Sequence, residues 1–205
     1  DNLYDTFAKL RARGLARAMA NTKQVKAANI YNNGFSGTIG DGAAFFSAAH
    51  PTISAGLQSN LLGAADLSEA TLETALTAIQ KTTDDRGILV GASAISLHIP
   101  VDYWAVADRV LSSPGNTQTS AASANPNNNA INATRHMGMV PEGFFINRRF
   151  TDTDAWFVKT DVPNGTKMFV RSPLQTKMEP DFDTGNLRFK ARERYSFGVS
   201  DWRGW

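Results

Sequence analysis

The sequence has no cysteine among its 205 residues. Disulfides and thiolate metal sites are therefore excluded, and stability has to come from packing or assembly. No window approaches the roughly 20 consecutive apolar residues that a membrane helix needs, and no basic-then-apolar leader stands at the front. We therefore expect a soluble chain of cytoplasmic origin without a membrane partner.

Motifs for catalysis or metal binding are also lacking. His50, His98 and His136 are scattered and form no His-x-x-x-His or His-Glu-x-x-His group, so no metal site is expected. Asp41, Ser47 and His50 could supply a hydrolase triad, but no nucleophile elbow surrounds Ser47. The sequence therefore predicts no catalytic residue, metal or cofactor, and an unrecognised soluble hydrolase is the less favoured alternative.

Charge is divided unevenly along the chain. Residues 1–35 carry six basic and two acidic side chains, and residues 36–165 carry seven basic and twelve acidic ones. Residues 166–205 carry eight basic and five acidic side chains. Basic ends around an acidic middle suit a chain that faces a polyanion or pairs its surfaces between subunits, although solvated surface charge gives the same pattern.

The first 33 residues predict a long helix, because apolar residues recur at helical spacing and no proline interrupts them. Gly14 is a candidate kink. Lys9, Arg13 and Arg17 lie four residues apart and form a basic ridge on this helix. Like charges at this spacing repel one another, so the ridge needs water or an anion.

The remaining elements follow in mixed order. Ser68 is a candidate N-cap for a helix that ends before Gly87, followed by the strand "AISLHIP" and a helix from "VDYWAVADRVLSS". Short strand-like runs follow, including "KMFVRSP", "TKMEPDFD" and "NLRFKARERYSFGVSD", with turn residues at 183–186. Helices first, a mixed middle and strands last predict an α+β fold.

Two further stretches are unusual. Ser113 to Ala130 carries no charge, aromatic or large aliphatic side chain, which indicates a long surface loop. The chain closes on "YSFGVSDWRGW", although chain ends are normally polar and mobile. Because aromatic rings dominate core and interface energetics, we interpret four side chains as packing anchors: Tyr195, Phe197, Trp202 and Trp205.

Four stretches together resemble a known family: "DGAAFFSAAHP", "NLLGAADLSEATLETALTAIQKTTDDRG", "DAWFVKTDVPNG" and "DTGNLRFKARERYSFGVSDWRGW". In this order, from about Phe35 to Trp205, they resemble the major head subunit of Mu-like tailed bacteriophages and prophages, which has the Hong Kong 97 capsid fold. The resemblance implies a structural protein without enzymatic activity. It would form pentamers and hexamers of an icosahedral shell around double-stranded DNA, assembled in the bacterial host cytoplasm.

The resemblance also implies an organisation. Residues 1–40 would hold the spine helix and the start of a peripheral domain, 41–160 mainly an axial domain, and 161–205 the return to peripheral strands. An N-terminal arm and extended loop are expected upstream of Asp1. Partners would be copies of the chain, DNA bound without sequence preference, and portal, scaffold or decoration proteins.

Two surfaces acquire roles from this resemblance. The ridge of Lys9, Arg13 and Arg17 is expected to face the packaged DNA. The uncharged loop is expected near the capsomer axis, where repeated charges would repel, and its axis-lining residues would be Ser113, Asn116, Thr117, Ser120 and Asn127. An encapsulin-like compartment shell, which encloses protein cargo within the same fold, is the alternative.

Overall fold

The structure is a computed structural model that describes residues 2–116 and 131–205. It contains helices and strands in mixed order, which confirms the predicted α+β class. The helices are α1 (Asn2–Asn32), α2 (Glu69–Gln80), α3 (Trp104–Ser112) and α4 (Ala133–His136), with 3-10 turns at Val101–Tyr103 and Trp202–Gly204. The strands are β1 (His50–Pro51), β2 (Leu57–Gln58), β3 (Ala94–Ile99), β4 (Phe144–Ile146), β5 (Phe157–Thr160), β6 (Thr166–Pro180) and β7 (Leu187–Val199).

The first helix, α1, continues through Gly14 as one element of 31 residues. Its C-terminal end is attached to the segment before β5. The Asn32 side-chain amide donates to the Arg149 carbonyl at 3.0 Å, and the Thr151 amide donates to Asn32 Oδ1 at 3.1 Å. No helix in the described ranges is both long and apolar enough to cross a membrane.

The predicted cap of α2 is present. Ser68 Oγ accepts from the Thr71 amide at 3.2 Å, and Thr71 Oγ1 accepts from the Ser68 amide at 2.8 Å. Two backbone donors that the helix cannot satisfy internally are thereby satisfied reciprocally. Leu67 and Leu72 flank this cap and are both buried, so the start of the helix is fixed against the core.

The central sheet has three strands in the order β4–β3–β5. The middle strand, β3, runs parallel to β4 and antiparallel to β5. Leu97 and Ile99 on β3 are fully buried, and they contribute to the first hydrophobic core. This core also takes buried side chains from α2, α3 and β5: Leu72, Leu76, Ala107, Val110 and Val158.

The last strands form a long two-stranded hairpin. The sequence predicts separate short strands on either side of Pro173, whereas the structure has a single β6 of 15 residues paired antiparallel with β7 of 13. The proline lies between Ser172 and Gln175, where the register of pairing shifts. Proline is tolerated in a strand at such irregularities, because no regular ladder hydrogen bond is required there.

The connection between β6 and β7 is a tight turn. The Asp181 amide donates to the Asn186 carbonyl at 2.7 Å, and Gly185 has a φ of 67°. This left-handed conformation favours glycine, because a Cβ atom would clash with the backbone. The turn predicted at residues 183–186 is therefore present.

A second hydrophobic core is mainly aromatic and joins the two ends of the chain. Phe45, Phe46, Phe157 and Trp202 are buried in it. Tyr31 of α1 packs against this cluster, with its ring centre 5.5 Å from that of Phe157. The C-terminal residues therefore fold against the end of the first helix.

Candidate functional site

Trp202 is packed into the aromatic core and is 6% exposed. Its ring stacks on the His50 ring, with centroids 4.4 Å apart and planes inclined by 7°. The Asn60 side-chain amide donates to the Trp202 carbonyl at 3.3 Å and to the Phe45 carbonyl at 2.9 Å. Trp202 is therefore held through both its ring and its backbone.

The neighbouring Arg203 joins the end of the chain to two other segments. Its guanidinium forms ion pairs with Asp85 and Asp201 and lies over the Trp202 ring, 4.3 Å from the centroid. Its Nε donates to the Thr83 carbonyl at 2.9 Å. Because a guanidinium has five donors in a rigid plane, one side chain satisfies several separate acceptors.

Trp205 completes the attachment. Its ring lies edge-on to Tyr31 at 4.8 Å and to His98 at 4.7 Å, and its Nε1 donates to Thr166 Oγ1 at 3.2 Å. A Cβ atom on Gly204 would lie 2.6 Å from the Gly165 Cα, so this approach requires glycine. The C-terminal residues thus connect α1, β3 and the start of β6.

Burial changes the acid-base chemistry of two rings beside Trp205. It raises the pKa of the Tyr31 hydroxyl to about 12, against a smaller opposing effect of a hydrogen bond with Thr166. Burial lowers the pKa of His98 to about 4, and the positive charge of Lys159 lowers it further. Both shifts favour the neutral ring, because a low-dielectric environment disfavours charge.

Tyr195 and Phe197 belong to a separate contact at the base of the hairpin. Their rings meet edge to face with centroids 5.5 Å apart. Lys23 and Lys26 of α1 lie over the Tyr195 ring at 5.4 and 5.8 Å, and Lys23 forms an ion pair with Glu193. The four predicted anchors therefore lie in two places, and this second group attaches the hairpin to α1.

The predicted basic ridge lies on α1. Lys9, Arg13 and Arg17 are all exposed on the helix. At a rise of about 1.5 Å per residue, the ridge extends over roughly 12 Å. Its charges therefore lie along one side of α1, in the part of the helix that precedes the contact between Lys23 and Glu193.

The structure describes the uncharged loop at residues 113–116. Ser113 Oγ donates to the Gly115 carbonyl at 2.8 Å, and Asn116 is half-buried. The Asn132 amide, two residues beyond the loop, donates to the Pro114 carbonyl at 3.2 Å. The other predicted positions, Thr117, Ser120 and Asn127, lie outside the described residues.

A hydrolase arrangement is not formed around His50. Its ring is fully buried, with Nδ1 2.7 Å from Asp41 Oδ2 and Nε2 3.0 Å from Asn60 Oδ1. Ser47 is not a partner of the ring, and its Oγ instead accepts from the Ala49 amide at 3.1 Å. Both ring nitrogens are engaged by Asp41 and Asn60, so His50 supports the Trp202 stack and is not directed at a nucleophile.

The structure also contains a cavity of about 610 Å³ beside the aromatic core. Apolar side chains that include Phe46, Trp202 and Trp205 line it. Leu61 and Leu62 are exposed at its wall, and three acids also line it: Asp66, Asp152 and Asp154. Among the described residues, no group of three or more His, Cys, Asp or Glu side chains could hold a metal ion.

The aromatic chain end is evident in the sequence, whereas the residues that hold it in place are not. Asn60, Asp85 and Arg203 are separated by up to 143 positions, and no local motif links them. The nearest signal is the pair Trp202 and Arg203, since arginine commonly stacks on an indole ring. The partners of that pair could be found only from the fold.

Comparison with known proteins shows the family. A family described as phage capsid protein matches residues 1–205, which is the whole chain. The chain therefore belongs to the phage capsid proteins, a structural family without enzymatic activity whose members are part of the virion capsid. No curated protein and no solved structure matches the chain.

Proposed function

We propose that the chain is the major head subunit of a Mu-like tailed bacteriophage or prophage, with the Hong Kong 97 fold. Copies of it would form the pentamers and hexamers of an icosahedral shell around double-stranded DNA. The match of a phage capsid family to the whole chain carries this proposal. The long α1 and the long β6–β7 hairpin support it, because extended elements give one subunit several neighbours.

The proposed domains follow the same assignment. Residues 1–40 and 161–205 would form the peripheral domain, and 41–160 mainly the axial domain. The aromatic core joins the two terminal segments through Tyr31 and Trp205, and it also takes Phe45, Phe46 and Phe157 from the middle segment. The central sheet and its helices form their own core, with Leu72 and Leu97 fully buried.

Electron microscopy of the purified full-length protein tests the proposal. Closed shells or rings of five and six subunits are expected. Nucleic acid that survives nuclease treatment inside the shells would support DNA packaging, whereas shells filled with protein cargo would favour the encapsulin-like alternative. A chain that stays monomeric at every concentration would contradict a shell function.

We further propose that Lys9, Arg13 and Arg17 face the enclosed DNA. Each neutralised phosphate releases counterions, so the contact should be independent of sequence and sensitive to salt. Replacing all three with Gln should lower the salt concentration at which shells release DNA. Shells that retain DNA equally at every salt concentration would show that the ridge is solvated or pairs with acids of a neighbouring copy.

A matched control removes the same charge elsewhere. Arg86, Arg109 and Arg135 are exposed and lie in the acidic middle of the chain. Their replacement with Gln changes the net charge by the same amount and should leave DNA retention unchanged. An equal loss in both variants would attribute the effect to total charge instead of to the ridge.

The uncharged loop is proposed to line the capsomer axis, and its composition supports this. Aspartates at Thr117, Ser120 and Asn127 would place repeated negative charges near the axis. Capsomers should then fail at low salt and partly recover as screening increases. Assembly that is equal at every salt concentration would favour an outward-facing loop.

A further inference from the structure

The part of the hairpin that is distant from α1 has two chemically different faces. We call residues 175–192 the distal hairpin. Successive strand residues point to opposite faces, and Met178 pairs with Phe189 while the next pair is Lys177 with Lys190. One face, the apolar face, consists of Thr176, Met178, Pro180, Leu187, Phe189 and Ala191, and the other of Gln175, Lys177, Glu179, Arg188, Lys190 and Arg192.

The apolar face is open to solvent over large side chains. Met178 is 58% exposed and Phe189 is 38% exposed, while Phe182 in the turn is fully exposed. The contact with α1 lies nearer the other end of the hairpin, at Glu193 and Tyr195. An isolated two-stranded hairpin is marginally stable in water, and a contiguous exposed apolar patch marks an interaction surface.

Net charge indicates which part of a second copy the hairpin contacts. The hairpin segment 166–199 has seven basic and four acidic residues, so two hairpins repel each other. The middle segment 36–165 has twelve acidic and seven basic residues. Opposite charge favours contact between the hairpin and the middle segment of a second copy.

Within that middle segment, the wall of the cavity beside the aromatic core carries both exposed apolar side chains and acidic ones. Leu61 and Leu62 provide exposed apolar contact, and Asp66, Asp152 and Asp154 provide negative charge. Arg188 and Arg192 lie on the face of the distal hairpin opposite the apolar one. Their long side chains can extend past the strand edges towards these three acids, while the apolar face covers the two leucines.

We propose that the apolar face of the distal hairpin of one copy packs over the mouth of this cavity on a second copy. The proposal rests on self-assembly, as the proposed function does, and adds which two surfaces meet. Because the two surfaces differ, each copy can offer its hairpin to one neighbour and its cavity to another, and such a heterologous contact continues from copy to copy into rings or larger assemblies.

Contact with protein accounts for the exposed apolar face better than contact with DNA does. Phosphates are bound by charged and polar groups, whereas the apolar face carries no charged side chain and a single hydroxyl, that of Thr176. A DNA contact would instead use the opposite face through Lys177, Lys190 and Arg192. The two roles therefore predict different effects for substitutions on the two faces.

Adjacent cross-strand pairs provide the test and its control. The change Met178→Ser with Phe189→Ser removes the apolar face, whereas Lys177→Ser with Lys190→Ser alters the neighbouring pair on the other face. Sedimentation velocity would measure the concentration at which the full chain assembles. We expect this concentration to rise at least about tenfold for the apolar pair, as for about 1.4 kcal/mol lost per contact.

The lysine substitutions should change the concentration at which the chain assembles by less than about threefold. High salt should abolish that difference, because it screens exposed charges. Circular dichroism and thermal unfolding would establish that both variants keep the fold. Assembly of the apolar variant at the wild-type concentration would overturn the proposal. A larger loss for the lysine pair, seen only with DNA present, would overturn it in favour of DNA binding.

Photo-crosslinking tests the contact without removing the aromatic residue. Phe189 would be replaced by p-benzoylphenylalanine, and subunits labelled with nitrogen-15 would be mixed with unlabelled ones. Mass spectrometry should find crosslinks between copies at residues 59–66 or 152–156. Crosslinks within one copy, to another hairpin or to DNA would overturn the proposed contact.

Assembly of the wild-type and variant chains distinguishes the hairpin contact from the shell function. Wild-type shells that form while the apolar variant also assembles normally would leave the shell function intact and exclude this contact. A wild-type chain that never assembles would contradict both. Shells that depend on Met178 and Phe189 and crosslink to the cavity mouth would support both.

Discussion

Two aromatic residues in the last quarter of the chain have opposite environments. Trp202 is 6% exposed and stacks on His50, whereas Phe182 in the hairpin turn is fully exposed. Each directly follows an aspartate in the sequence. Phe182 lies between β6 and β7, and Trp202 lies beyond β7. Trp202 is covered by its chain neighbour Arg203 and by His50 and Asn60 from a distant segment, whereas the side chain of Phe182 is covered by no part of the described chain.

This difference separates folding from association. A side chain that is already packed stabilises the folded subunit, whereas an exposed aromatic side chain contributes little until another surface covers it. Substitutions at the chain end should therefore change the free energy of unfolding. Substitutions on the distal hairpin should change association and leave the subunit folded.

The largest expected effect is at the chain end. Trp202→Ala should reduce the free energy of unfolding by about 3–5 kcal/mol, because it leaves a cavity in the aromatic core and removes the stack on His50. Urea denaturation of the unassembled chain would measure the change. A loss below about 1 kcal/mol would show that the chain end does not contribute to the core as its burial implies.

The second effect depends on pH. The pKa of His98 is about 4 when folded and 6.5 when unfolded, because of burial and the charge of Lys159. The unfolded chain therefore binds the proton first as the pH falls, and stability should decrease by about 2 kcal/mol between pH 6.5 and pH 4. The free energy of unfolding of wild type and of His98→Gln, measured by urea denaturation at several pH values in this range, would isolate the contribution of His98. The same pH dependence in both chains would contradict it.

A smaller effect is expected at the ion pairs of the chain end. Arg203→Gln should cost about 1–2 kcal/mol, since it removes hydrogen bonds to Gln58 and Thr83 as well as two charge contacts. Half-exposed Asp85 can regain water, which limits the loss. Arg86→Gln is the control nearby, and an equal loss there would attribute the effect to the loop instead of to Arg203.

The smallest effect on folding is expected at the hairpin turn. Phe182→Ala should change the free energy of unfolding by less than about 0.5 kcal/mol, because a fully exposed side chain loses no packing. The same urea titration as for Trp202→Ala would compare the two aromatic residues directly. A loss of more than about 1 kcal/mol would show that Phe182 contacts the subunit in solution.

Much of the local structure could be predicted from short patterns. The cap at Ser68, the strand at residues 94–99 and the first helix each depend on neighbours within a few positions, and all three are present. The division of β6 at Pro173 was wrong, because a register shift accommodates the proline. That shift depends on how β7 pairs with β6, and a local sequence pattern contains no information about this pairing.

The sequence by itself determined the mixed helix and strand content and the aromatic chain end, because these depend on residue type and spacing along the chain. The tertiary structure decided which aromatic residues are buried. Trp202 is enclosed because His50 and Asn60 reach it from distant positions and its chain neighbour Arg203 is paired with distant Asp85, whereas Phe182 in the hairpin turn is fully exposed. Burial depends on which segments meet, and that is set by packing of the whole chain.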